Sequence, residues 1–113
     1  MTARNIGAGG EDIAANFLIA RNFHILARNY RTRFGEVDII AKDGEHIVFV
    51  EVKTRANANF ADAAESVTHA KRRKLRMVAR QWLANRAPDA PARFDVIEVY
   101  KNGGINHIPD AFE

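Results

Sequence analysis

Apolar positions along the 113-residue chain follow two different periods, and the switches between them mark the elements. Over residues 11–21, Ile13, Phe17 and Ala20 fall in one row and Ala14, Ala15 and Leu18 in the next, which predicts a helix. Ahead of it Gly7, Gly9 and Gly10 predict a flexible arm over residues 1–9. Asn22 closes the helix, and residues 23–30 predict a strand. Residues 35–53 form two apolar, β-branched runs on either side of Asp43-Gly44, the signature of a β-hairpin. Residues 56–64, rich in Ala and Asn with Phe60 alone among them, predict a mobile loop. A long helix follows, from Ala64 or Val67 to Arg86, with Leu75, Val78, Ala79, Trp82 and Leu83 as its apolar stripe. Ala87-Pro88-Asp89-Ala90-Pro91 breaks it. Residues 93–101 alternate, with Phe94, Val96, Glu98 and Tyr100 on one side and Asp95, Ile97 and Val99 on the other. A turn at 102–104, a short strand at 105–108 and a tail at 110–113 complete the chain. The order αβββαββ predicts one α/β domain over residues 1–113, a central mixed sheet of about five strands flanked by helices.

The hairpin carries three charges that its apolar runs should exclude: Asp38 in the first strand, Glu51 and Lys53 in the second. With the turn centred on Asp43 and Gly44, Lys42 faces Glu45, Asp38 faces Phe49 and Glu36 faces Glu51. Residues paired across strands, or two apart along one, share a face. Asp38, Glu51 and Lys53 then project from one face, and a slip of one residue would separate them. Two carboxylates and one ammonium together suggest a site for a hard cation.

Composition bounds the alternatives. Hydrophobic residues make up 47% and charged residues 27%, as in ordinary folded domains. No run approaches the roughly 18 apolar residues of a membrane span, residues 1–10 lack a signal-peptide core, and there is no Cys. The expectation is a cytoplasmic protein without a membrane partner. Net charge is only +3, but seven of the 17 basic residues sit on the long helix: Lys71, Arg72, Arg73, Lys74, Arg76, Arg80 and Arg86. No acidic residue interrupts residues 71–86. A merely solvated face tends to mix signs; this one suits a polyanion backbone. Arg28, Arg31 and Arg33 surround the connection into the hairpin and could hold phosphate in the same way. Glu11 shares the inward side of the first helix; it is either a first-turn residue favoured by the helix dipole or part of a site. His24 reads as a solvent-facing strand residue, Trp82 as core, and Asp95 as structural capping.

Carboxylates, a lysine and a basic helix together suit metal-dependent phosphodiester hydrolysis. Mg²⁺ takes oxygen ligands and keeps waters. It can polarise a phosphoryl oxygen and supply a hydroxide nucleophile, and an adjacent Lys can orient that water or offset charge.

Asp38 followed after twelve residues by Glu51-Val52-Lys53 resembles the PD-(D/E)xK signature of restriction-endonuclease-like nucleases, with Val37 where that motif often has Pro. A wider set is more specific. Gly10-Glu11-x-x-Ala14, Asn29-Tyr30-Arg31, Gly35-Glu36-Val37-Asp38, Phe49-Val50-Glu51-Val52-Lys53-Thr54-Arg55, Glu65-Ser66-Val67 and Arg93-Phe94-Asp95-Val96 closely resemble the bacterial YraN family, grouped with the archaeal Holliday-junction resolvases. The resemblance implies a restriction-endonuclease-like fold and catalytic roles for Asp38, Glu51, Lys53 and Glu11. It implies metal ligation by Asp38, Glu51, Glu11 and the Val52 carbonyl, with Mg²⁺ as cofactor and Mn²⁺ as a substitute. Glu36 would tune the site or pair with Arg33 or Arg55. Nucleic acid would lie along Arg31, Arg33, Arg55, Lys71, Arg72, Arg73 and Arg76, and relatives in the resolvase branch imply a homodimer. The function so read is a Mg²⁺-dependent DNA endonuclease, with branched DNA such as Holliday junctions as a candidate substrate. The alternatives are a nucleic-acid-binding protein that does not cut and an RNA-processing nuclease.

Overall fold

The computed structural model describes residues 4–56 and 67–112, with side chains in the first helix from residue 9 onward. Among them the elements are α1 (Arg4–Ala20), β1 (His24–Thr32), β2 (Gly35–Asp43), β3 (His46–Arg55), α2 (His69–Arg86), β4 (Ala92–Tyr100) and β5 (Ile105–Phe112). The five strands form one sheet in the order β1-β2-β3-β4-β5. β3 and β4 are parallel and the other neighbours antiparallel, so the sheet is mixed. The loop expected at 56–64 falls, after Ala56, outside the described residues, as do Glu65 and Ser66. No helix among the described residues is long and apolar enough to cross a membrane.

One helix covers each face of the sheet. On one side Ala14, Ala15 and Leu18 of α1 pack on Ile39, Ala41, Val48, Val50, Ile97 and Val99. On the other, Leu75, Val78, Ala79 and Trp82 of α2 pack on Ile40, Ile47, Phe49 and Val96. The central strands are therefore apolar on consecutive residues and not on alternate ones. Trp82 lies in this core, edge-on to Phe49 with ring centroids 6.0 Å apart.

The helix ends follow from local chemistry. Asn22, at φ 70°, ends α1: its N–H bonds to the Ile19 carbonyl and that of Phe23 to Leu18, each at 3.0 Å. This is a Schellman motif with Asn in the left-handed position. Thr68 caps α2, its side chain accepting from the Lys71 N–H, so the helix starts a little later than its apolar stripe suggested.

Three expectations change. The glycine-rich arm does not stop short of the helix: α1 already runs from Arg4. Gly10 serves close packing, since a Cβ there would lie 2.6 Å from Thr54 Oγ1 on β3. The C-terminal tail is strand: β5 reaches Phe112, which is buried and stacks on Phe94 at 5.1 Å between centroids. Pro109 is tolerated there because β5 is an edge strand. The hairpin turn sits one residue later than expected, as described below.

Gly10→Ala should destabilise the protein by about 1–2 kcal/mol through overlap with Thr54. In a Thr54→Ala background the same change should stabilise, because only the helix-propensity gain of up to about 1 kcal/mol remains. Denaturant titrations of the four proteins in the cycle check this; an equal effect in both backgrounds would remove the packing explanation.

Candidate functional site

The site forms where the hairpin opens. The β2–β3 pairs run from Asp43↔His46 through Lys42↔Ile47 to Ile39↔Val50, placing Gly44 and Glu45 in the turn. Gly44 takes φ 60°, and Glu45 is not among the residues of positive φ, the arrangement of a turn with Gly at its first central position. Asp43 therefore stays in the strand, where Arg93 reaches it at 3.2 Å. The change moves every cross-strand partner by two residues, so the shared face is preserved. One step beyond Ile39↔Val50 would set Asp38 against Glu51, and there the regular pairs end. The Asp38 carboxylate stands in for the missing backbone partner, accepting the Val52 N–H at 2.7 Å. On the other side of β2, Asn29 lies between the pairs Arg28↔Ile39 and Tyr30↔Val37 and takes φ 52°, so β1 is distorted at the same level.

Asp38 and Glu51 line a pocket of about 400 Å³ with Gly35 and Glu36, closed on its other side by Thr68, Ala70, Lys71, Lys74 and Leu75. The start of α2 thus faces the two carboxylates. Its first turn carries no acidic residue, which leaves the positive end of the helix dipole facing the pocket. Glu51 is buried, its side chain 7% exposed, and is met by two ammonium groups. Lys71 Nζ is in direct contact with Glu51 Oε1, and Lys53 Nζ stands 3.8 Å from the same oxygen.

Burial pushes the Asp38 carboxyl up to about 7, helped by the charge of Glu51 and less by that of Glu11; the Val52 N–H and Lys71 oppose the rise. Burial and then the neighbouring Lys71 lower the Lys53 ammonium below its ordinary value. Burial opposes the charge on Lys71 as well, but Glu51 more than offsets it and holds that ammonium above its ordinary value. The two lysines are therefore unlike: Lys53 is the readier to give up its proton.

The remaining sequence candidates are spread more widely. Glu11 does not line the pocket. Its carboxylate accepts from Arg28 Nε at 3.2 Å and Asn29 Nδ2 at 2.9 Å, while its charge still reaches Asp38. Among the described residues no group of three or more His, Asp or Glu converges closely enough to hold a metal ion. Glu36 pairs with Arg31 at 3.2 Å, its cross-strand neighbour, and not with Arg33 or Arg55. Arg33 lies over the Phe34 ring. Arg55 bonds Glu98 at 2.5 Å. On α2, Arg72 reaches the Val67 carbonyl and covers the Phe112 ring, so it is also part of the packing. Arg73, Lys74 and Arg80 are exposed.

Lys71, expected on a nucleic-acid-binding face, is brought by the fold into the pocket. Its signal was legible only as a charge at the start of the long helix. Glu98, in sequence only one member of an alternating strand, is 3% exposed and takes bonds from Arg55, Tyr100 and Asn106. Asp95, read as structural, is fully buried and accepts from Arg93, from the Asp110 N–H at 2.9 Å, and pairs with His107 at 2.7 Å.

Residues 10–99 match the family model described as "Uncharacterised protein family UPF0102". Proteins of that description are similar along nearly the whole chain. One from Geobacter metallireducens is 46% identical over 114 residues, covering 97% of this chain and 93% of the relative. One from Clostridioides difficile is 46% identical over 114 residues, covering 99% of this chain and 100% of the relative. One from Rhodococcus opacus is 43% identical over 112 residues, covering 95% of each.

The raised Asp38 pKa sets a stability trend. Folding lifts it from 3.8 to about 7, so its contribution is fully present below pH 3.8 and is lost as pH rises through 7. Asp38→Asn keeps an acceptor for the Val52 N–H and removes the charge. In chelator-treated samples the variant should be more stable than wild type at pH 8, by on the order of 2 kcal/mol after allowing for partial solvation. The gap should close towards pH 4. Urea titrations at pH 4, 6 and 8 read this directly, and a gap independent of pH would refute it.

Proposed function

Because the chain belongs to the uncharacterised protein family UPF0102, which is YraN-like, its chemistry has to come from its own side chains, and we propose that it is a metal-dependent nuclease hydrolysing phosphodiester bonds in DNA. One observation carries this reading: Asp38 and Glu51 share a pocket with Lys71 and Lys74, and Lys53 stands beside Glu51. The spacing Asp38 … Glu51-Val52-Lys53 at the open end of a hairpin supports a restriction-endonuclease-like assignment of the mixed sheet.

The residues fit a hard divalent cation. Burial and the charge of Glu51 hold the Asp38 carboxyl up to about 7, so a cation bound beside it would be favoured. Mg²⁺ is commonly held by one or two carboxylates with water and phosphate oxygens completing its shell, which suits a two-carboxylate pocket. Asp38 and Glu51 would hold it, with Glu11 close enough to add its charge. Such an ion, when bound, polarises a phosphoryl oxygen and makes water a stronger nucleophile. Lys53 Nζ is positioned to orient a water or to offset charge on the phosphate, and burial beside Lys71 lowers its pKa and makes it the readier of the two lysines to give up a proton. Lys74, Arg73 and Arg80, exposed along α2, give a polyanion its approach.

A second reading, a nucleic-acid-binding module that does not cut, is favoured by one observation: Lys71 already neutralises Glu51. Purified protein with Mg²⁺ or Mn²⁺ on duplex, single-stranded, flap and four-way-junction DNA, and on RNA, separates the readings. Cutting of DNA that falls at least 100-fold in Lys53→Ala and Asp38→Ala is expected. Equal binding by all proteins with no cutting would leave the binding module, and cutting of RNA alone would reject DNA. Arg73→Gln/Lys74→Gln/Arg80→Gln should weaken binding and reduce the slope of log affinity against log salt by up to about 3. An unchanged slope would mean that this face is only solvated.

A further inference from the structure

The acidic pair of the pocket already has a cation of its own. Lys71 Nζ is in contact with Glu51 Oε1, the oxygen that also lies 3.8 Å from Lys53 Nζ. Asp38, Glu51, Lys53 and Lys71 make two acids and two ammonium groups, a neutral set when all are charged. A hard cation binds through carboxylate oxygen, and this oxygen is engaged. We propose that in the metal-free protein Lys71 occupies the place of a divalent cation on Glu51, and that metal binding displaces its Nζ into the pocket. The inference rests on the metal-site reading above.

The two lysines differ in their ability to move. Lys53 is two residues from Glu51 on the same strand, and its side chain is 26% exposed. The sheet fixes the spacing of the two backbones. Lys71 reaches Glu51 from the start of α2, across the pocket, and its side chain is 40% exposed. Its four-carbon stem can swing without disturbing the helix, whose capping uses the Lys71 backbone N–H and not its ammonium. The pocket that Lys71 lines with Thr68 and Lys74 gives the ammonium somewhere to go. There it would join Lys74 beside the positive end of α2, facing the position a phosphate would occupy. One exchange would therefore convert Lys71 from a plug on the acid into a phosphate-facing cation, so metal and nucleic acid should each favour binding of the other.

The test uses Mn²⁺ as probe, with affinity read by electron paramagnetic resonance of the free ion. Lys71→Gln should bind Mn²⁺ on the order of tenfold tighter than wild type, since the competing charge is gone. Lys74→Gln removes the same charge from the same pocket without touching Glu51, and should change affinity much less. Side-chain NMR of wild type offers a readout that needs no variant: Mg²⁺ should shift the Lys71 ε-methylene resonance. If wild type binds Mn²⁺ and Glu51→Gln does not, yet Lys71→Gln binds no tighter or Lys74→Gln matches it, displacement is wrong while the metal site stands. An unmoved Lys71 resonance at saturating Mg²⁺ would also overturn it. If wild type and Lys71→Gln bind no Mn²⁺ beyond the Asp38→Asn and Glu51→Gln background, the metal reading fails and this inference with it.

Discussion

The Glu51 carboxylate, buried on a strand that is packed on both faces, is the constraint to which the rest of the structure answers. A carboxylate so far from water must be paired. Its own strand supplies Lys53, and the start of α2 supplies Lys71. The ion pair ties the start of the long helix to the open end of the hairpin, on the face where Leu75, Val78 and Trp82 pack. Site and α2-side core are therefore one unit. The acid proposed to bind metal therefore also meets the first turn of α2, a helix held to the sheet by its apolar stripe.

The sheet buries two further acids, and the contrast is informative. Asp95 takes Arg93, His107 and a backbone N–H; Glu98 takes Asn106, Tyr100 and Arg55. Burial works against both, yet these donors keep each carboxyl below its usual range. They are saturated, and so structural. Among the described residues Asp38 has the Val52 N–H as its one hydrogen-bond donor, and burial with the charge of Glu51 pushes it up to about 7. An acid left short of donors, on a pocket wall, is the natural candidate for a ligand.

That imbalance is what makes the nuclease proposal more than a pattern match. Asp38 and Glu51 repel each other's charge, the lysines that answer them differ in proton affinity, and the basic side of α2 begins at the same pocket. Membership in UPF0102 says that the chain shares its sequence pattern with proteins from distant bacteria. The proposed chemistry rests on side chains at the hairpin's open end.

The sequence by itself determined the element order, the two-sided apolar strands and the common face of Asp38, Glu51 and Lys53. These are local: periodicity, turn residues and strand parity act over a few positions. Parity survived a turn displaced by one residue because each partner moved by two. The tertiary structure decided what depends on distant segments meeting. It turned Gly10 from an apparent flexible residue into a close contact with Thr54, and drew Phe112 from an apparent tail into a stack on Phe94. It set Lys71 on Glu51 and held Glu11 on Arg28 and Asn29. No spacing rule reaches across twenty residues to say which ammonium will meet which buried carboxylate, because packing of helix on sheet sets that distance.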